Sequence, residues 1–230
     1  MNPLYLMDHN PLLIFEAAQI TAGTSFALRN INLRIGRGDW VEITGHNRSG
    51  KSVLLKSIFG LLPVSVGTLH CMGINFGHND QIQSVRRKIG IVADAVPLIQ
   101  GRTLRANFSL ASAAAGVARD LTQTEFFNAT LEAFKLSAKM QELSDDLSAS
   151  EQWLARTARA LMTEPDLLLL DCPLRMLDEA AAMVYLRLIR SYMSDTQRAV
   201  IWCTDHLNID APAHRRVMLL ENQTLRELNR

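Results

Sequence analysis

The run Gly45-His46-Asn47-Arg48-Ser49-Gly50-Lys51-Ser52 constrains the fold of this chain more than any other feature. It fits G-x-x-x-x-G-K-[ST], a spacing with physical meaning only between a strand and a helix. Both flanks are present. Asp39-Trp40-Val41-Glu42-Ile43-Thr44 alternates like a strand, and Lys51 to about Phe59 follows a helical pattern that closes at Gly60. Gly45 and Gly50 permit backbone angles that a Cβ would forbid, so successive N–H groups can turn inward as an anion nest. The helix start adds its positive end. In that geometry Lys51 reaches the β- and γ-phosphates of a nucleotide, and the Ser52 hydroxyl ligates Mg²⁺.

Such a loop needs a second metal group. Leu167-Leu168-Leu169-Leu170-Asp171 supplies it, an apolar strand that delivers one carboxylate at its C-terminal end. In an open α/β sheet that end is where ligands sit. The rest of the pattern agrees. Short strands are predicted over Leu12–Ala18, Ala27–Ile35 and Val66–Cys71, with a buried one over Ile89–Val92. The stretch from about Thr103 to Asp146 is helical and Ala-rich. Thr122 with Glu125, and Ser148 with Glu151, are capping-box spacings. A helix over Glu179–Met193 and strands over Ala199–Thr204 and Val217–Glu221 complete the alternation. Strands alternating with helices imply a parallel sheet covered on both faces.

Composition narrows the function classes. The chain has 230 residues, 48% hydrophobic, with Lys+Arg 24 against Asp+Glu 23. That balance argues against a protein built to neutralise nucleic-acid phosphate. Neither Leu167–Leu170 nor the segment around Gly60–Val66 approaches the roughly 20 residues of a membrane span. The opening MNPLYLMDHNPLLIF lacks a basic region and a small-residue cleavage site, which predicts no secretory leader. Cys71, Cys172 and Cys203 show no ligand spacing and suit free thiols in a reducing compartment.

Taken together, the phosphate loop, the strand ending in Asp171 and the Ser148 segment resemble the ATP-binding subunits of ABC transporters, over roughly Leu12 to Leu225. The resemblance implies an α/β P-loop NTPase fold with an N-terminal β-subdomain, a parallel core sheet and a helical insertion at about 103–162. The whole chain, 1–230, is then one nucleotide-binding domain. Within the family the chain is most similar to the short FtsE and LolD branch, on Phe15-Glu16, Gly45-His46, Leu54-Leu55-Lys56 and Arg86-Arg87-Lys88-Ile89-Gly90. Trp40-Val41-Glu42-Ile43-Thr44-Gly45 also looks like haem-exporter ATPases. The family pattern implies that ATP is held by Gly45 through Ser52, with Val53, and by Ser148 of an LSGGQ-like segment facing a second subunit. Mg²⁺ falls to Ser52, Asp171 and Asp94. The switch histidine falls at His206, and Leu177-Asp178 falls at the D-loop.

Four positions depart from that pattern. The Glu that orients the attacking water is Cys172, in Asp171-Cys172-Pro173. A thiol is a poor acceptor and mostly neutral near pH 7. The metal-contacting Gln falls at Asp94, where a carboxylate can meet the cation or be repelled by phosphate. The signature reads Ser148-Ala149-Ser150 where Ser-Gly-Gly is usual. No ring stands near Thr21–Ala22 to stack on adenine; Phe26 is a substitute or a core residue. The resemblance therefore implies an ATP-binding subunit with slow or no hydrolysis, docked on an integral membrane permease-like subunit. It works as a homo- or heterodimer, peripheral on the cytoplasmic face of the membrane. The alternative is a pseudo-ATPase scaffold. A role on nucleic acid does not fit a single near-neutral cassette.

Overall fold

A computed structural model describes residues 11–76, 82–195, 197–205, 212 and 214–228. Two sheets organise it. The first is antiparallel: β1 (Leu13–Ala22), β2 (Phe26–Ile35), β4 (Val64–Cys71) and β5 (Ile74–Asn75), in the order β2-β1-β4-β5. The sequence pattern ends β1 at Ala18, because its alternation slips there. A bulge absorbs the slip. Ala17 takes φ 44, its N–H donates to Asn32 Oδ1 at 2.9 Å, and the strand continues to Ala22.

The second sheet has six strands in the order β10-β9-β3-β8-β7-β6. These are β3 (Trp40–Thr44), β6 (Ile89–Val92), β7 (Leu167–Asp171), β8 (Ala199–Thr204), β9 (Arg216–Glu221) and β10 (Thr224–Glu227). The five from β9 to β6 run parallel; only β10 is antiparallel, as a hairpin partner of β9. The four-leucine run explains the sandwich. Leu167 and Leu169 pack into a core shared with the antiparallel sheet, whereas Leu168 and Leu170 pack into a second core under the helices. Both faces are buried, so no alternation is visible in the sequence. In β8, Trp202 faces the helical side and stacks on Trp40 with ring centroids 5.6 Å apart.

Between β6 and β7 lie α3 (Leu104–Ala114), α4 (Glu125–Ala133) and α5 (Ala149–Leu161). The Ser148–Glu151 capping box forms as the spacing predicts: Glu151 N–H donates to Ser148 Oγ at 3.2 Å, and Ser148 N–H to Glu151 Oε2 at 2.9 Å. The Thr122–Glu125 box does not form. Asp120 takes Thr122 instead, accepting from both its N–H and its hydroxyl. The helix α4 is capped by Thr124, which accepts from Phe127 N–H. Asp120 thus caps the short turn Leu121–Gln123, and Thr124, next to the apolar run, caps α4. Among the described residues the remaining α-helices are α1 (Lys51–Ile58), α2 (Ile82–Arg86) and α6 (Glu179–Tyr192). Among the described residues no helix is long and apolar enough to cross a membrane.

Candidate functional site

Three neighbouring strands deliver the site. The pairings Thr44↔Thr204 and Asp171↔Cys203 put the C-terminal ends of β3, β8 and β7 side by side. The loop Gly45–Gly50, the pair Asp171–Cys172, and Asp205 therefore leave the same edge of the sheet. They border a cavity of about 500 Å³.

The loop has the shape its glycines imply. A Cβ on Gly45 would stand 2.4 Å from Leu220 O, a backbone atom that cannot yield. Gly50 sits at φ 108 as the N-cap of α1 and offers that helix no side-chain cap. Its first N–H groups are left for another acceptor. Ser49 Oγ is buried and makes no hydrogen bond among the described residues. The Lys51 ammonium, only 6% exposed, donates to Gly45 O at 2.6 Å and His46 O at 3.0 Å, and meets Asp205 Oδ1 at 3.0 Å. A backbone held this close, an uncapped helix start, a buried unpartnered hydroxyl and a lysine fit the phosphates of a nucleotide. Ser52 and Asp171, a hydroxyl and a carboxylate, line the same cavity and suit Mg²⁺.

The other sequence-derived positions divide. Asn47, Arg48, Ser49, Gly50, Lys51, Ser52, Val53, Asp94, Asp171 and Cys172 all border the cavity. Gly45 and His46 shape it through their carbonyls, which hold Lys51. Ser148 does not border it. Its hydroxyl is committed to the α5 cap, donating to Glu151 Oε2 at 2.8 Å. His206 lies outside the described residues. Asp94 is 78% exposed and pairs with Arg156 Nη1 on α5 at 3.0 Å. Ala22 and Phe26 both line the cavity, and Phe26 also packs against the core.

Cys172 is 8% exposed, takes φ 50 and donates its N–H to Cys203 O at 3.0 Å. Burial, and then the carboxylates of Asp171 and Asp205, push its thiol up to about 11. It is a protonated thiol at neutral pH.

Sequence reasoning passes over Asp205, Arg175 and Trp153, which also line the cavity. Asp205 bridges Lys51 and Arg175, the latter at 2.7 Å. Burial alone would raise its pKa; the Arg175 and Lys51 contacts outweigh burial and hold it below the usual carboxylate value. The available signal was its place, first after a strand neighbouring β3.

Comparisons with known proteins agree with this architecture. The family model described as ABC transporter matches residues 28–175. The methionine import ATP-binding protein MetN 2 of Paraburkholderia xenovorans is 31% identical over 206 residues, covering 86% of this chain and 53% of that protein. The zinc import ATP-binding protein ZnuC of a Ruegeria species is 31% identical, covering 91% of this chain and 77% of that protein. The chain spans about half the length of the methionine import ATP-binding proteins it matches. A dimeric ATP-binding cassette solved with ADP and Pi superposes with a TM-score of 0.83 at 24% identity, covering 94% of this chain and 98% of that one, and shares the fold. The chain belongs to the ABC transporter family.

Proposed function

We propose that this chain is the ATP-binding subunit of an ABC-type transporter or an FtsE–FtsX-like membrane complex, with slow or no hydrolysis. The whole chain forms one cassette, with 103–162 as its helical subdomain. The reading rests on one observation: a loop held by Gly45, carrying Lys51 and leading into an uncapped helix, faces Asp171 across a single cavity. Lys51 and the loop N–H groups hold the phosphates. Ser52 and Asp171 hold Mg²⁺, whose chemistry is to neutralise charge developing on the phosphates. Phe26 supports the base.

Hydrolysis needs a group that accepts a proton from water. Cys172 occupies that position as a neutral thiol, and loss of a positioned base typically costs about 10²–10⁴ in rate. Ser148 is presented at the start of α5 for the site of a second subunit, but its hydroxyl is already shared with Glu151. Partner and location follow the family. The structural neighbour cbiO1 of Clostridium perfringens is part of the ABC transporter complex cbiONQ, which supports a multisubunit assembly; an integral membrane permease-like partner and a place on the inner face of the membrane belong to the same proposal. The neutral Cys172 also favours a second reading, a pseudo-ATPase subunit that binds ATP and regulates or scaffolds.

Phosphate release by the purified chain, alone and with its membrane partner, tests this. Transporter-like turnover that Lys51→Ala abolishes would refute impaired hydrolysis. Slow or absent turnover with intact ATP binding supports it.

A further inference from the structure

We propose that Asp205 is a built-in competitor for phosphate: its carboxylate occupies the Lys51 ammonium, and a ligand gains that lysine only by displacing it. This deepens, and rests on, the nucleotide-binding reading above.

A lysine ammonium has three N–H donors. Lys51 uses them on Gly45 O at 2.6 Å, His46 O at 3.0 Å and Asp205 Oδ1 at 3.0 Å. The first two acceptors are carbonyls of the loop and move only with it. The third is a short side chain that can rotate away. Its second oxygen accepts from Arg175 Nη2 at 2.7 Å, so one carboxylate bridges two cations. Lys51 is 6% exposed and Asp205 24%, so solvent screens this contact less than it screens a surface pair. The Asp205 carboxylate holds the loop lysine and lines the same cavity as Asn47 to Val53, so it is an anion standing on the lysine that a phosphoryl group would take.

The exchange has a direction. A carboxylate brings one negative charge and two oxygens. The terminal phosphate of a triphosphate brings more charge and three oxygens, and its neighbours engage the loop N–H groups at the same time. Displacement frees both Lys51 and Arg175 for the incoming group. Asp205 thus sets a threshold that a polyphosphate crosses and a lone orthophosphate does not, which makes it a specificity-determining residue of the site.

The test compares binding of tripolyphosphate, ATP and orthophosphate by calorimetry in wild type, Asp205→Asn, Asp205→Ser and the Lys51→Ala/Asp205→Asn double variant. Tripolyphosphate and ATP should bind both single variants about tenfold more tightly than wild type. The double variant should lose the gain. The single variants should also melt at lower temperature without ligand, so stability and affinity move in opposite directions. Equal or weaker binding in a folded single variant overturns the proposal. Should neither variant fold, the wild type decides by carbon NMR. The Asp205 carboxyl resonance should move to that of a solvated aspartate on saturation with tripolyphosphate, and an unmoved resonance overturns the displacement. If wild type binds neither polyphosphate, the nucleotide reading itself fails, an outcome distinct from a wild type that binds as tightly as its Asp205 variants.

Discussion

Arg156 Nη1 lies 3.0 Å from Asp94 Oδ1, and this pair ties the segment after β6 to the middle of α5. The Arg156 guanidinium also lies over the Trp153 ring, 5.6 Å from its centroid. Asp94 is thereby held by the helical layer at the border of the cavity. Because the carboxylate is largely exposed, the pair contributes little: Asp94→Gln should cost less than about 1 kcal/mol in denaturant unfolding. It should change the Mg²⁺ dependence of ATP binding by less than about fivefold, the equivalent of that energy. A larger loss of Mg²⁺ dependence would assign Asp94 to the metal.

Cys172 makes a prediction about pH. Its thiol titrates near 11 because burial and two neighbouring carboxylates disfavour the thiolate. At pH 7 the thiolate fraction is then roughly 10⁻⁴, and alkylation is correspondingly slow. The rate should climb about tenfold per pH unit between pH 7 and 9, without a plateau. A plateau near pH 8, followed by mass spectrometry of the Cys172 peptide, would contradict this environment. The same position carries the catalytic prediction. Cys172→Glu should raise steady-state ATP turnover by on the order of 10², and unchanged turnover would put the barrier elsewhere.

Beneath the site, Arg215 pairs with Glu42, a carboxylate of β3 that is fully buried. Removing one partner takes the opposite charge away from a buried one. Arg215→Met should destabilise the fold by roughly 3–5 kcal/mol, whereas Glu42→Met with Arg215→Met should recover most of that loss. Chemical denaturation of the three proteins measures it; an innocuous single variant would contradict a buried pair.

At the start of α5, Ser148→Ala should cost about 1 kcal/mol through loss of the cap. The Ser148 backbone N–H, then the Lys139 and Ser148 side chains, hold the Glu151 pKa below its ordinary value. A carboxylate lowered on folding contributes stability that is present above its unfolded pKa and lost as pH falls through the folded one. The Ser148 contribution should therefore fade in acid, below the ordinary Glu range, and thermal melts from neutral to acidic pH should show it.

Much of this architecture was legible in residues whose chemistry is local. Gly45 and Gly50 specify the loop because a Cβ at either would collide with its neighbours, and Lys51 supplies the charge. Leu167–Leu170 specify a strand buried on both faces, and Asp171 marks its end. Ser148 and Glu151 are three apart and satisfy each other. What stayed hidden depends on pairings and competitions that spacing does not show. The bulge at Ala17 needs Asn32 across the sheet. Strands β5 and β10 are short, at two and four residues, and exist through pairing rather than propensity. Thr122 yields the cap of α4 to Thr124, two residues on, a choice that spacing alone does not rank. Trp153 sits at helical spacing like any core residue and also borders the cavity. Asp205 gains its role only when β8 is seen beside β3, which brings a carboxylate to Lys51.

The most direct measurement is an equilibrium titration of Mg²⁺ and ATP into the purified chain and into Lys51→Ala, read by calorimetry. The account predicts saturable binding near one nucleotide per chain that Lys51→Ala weakens by at least about tenfold. No heat with any nucleoside triphosphate, or equal affinity in the two proteins, would contradict it.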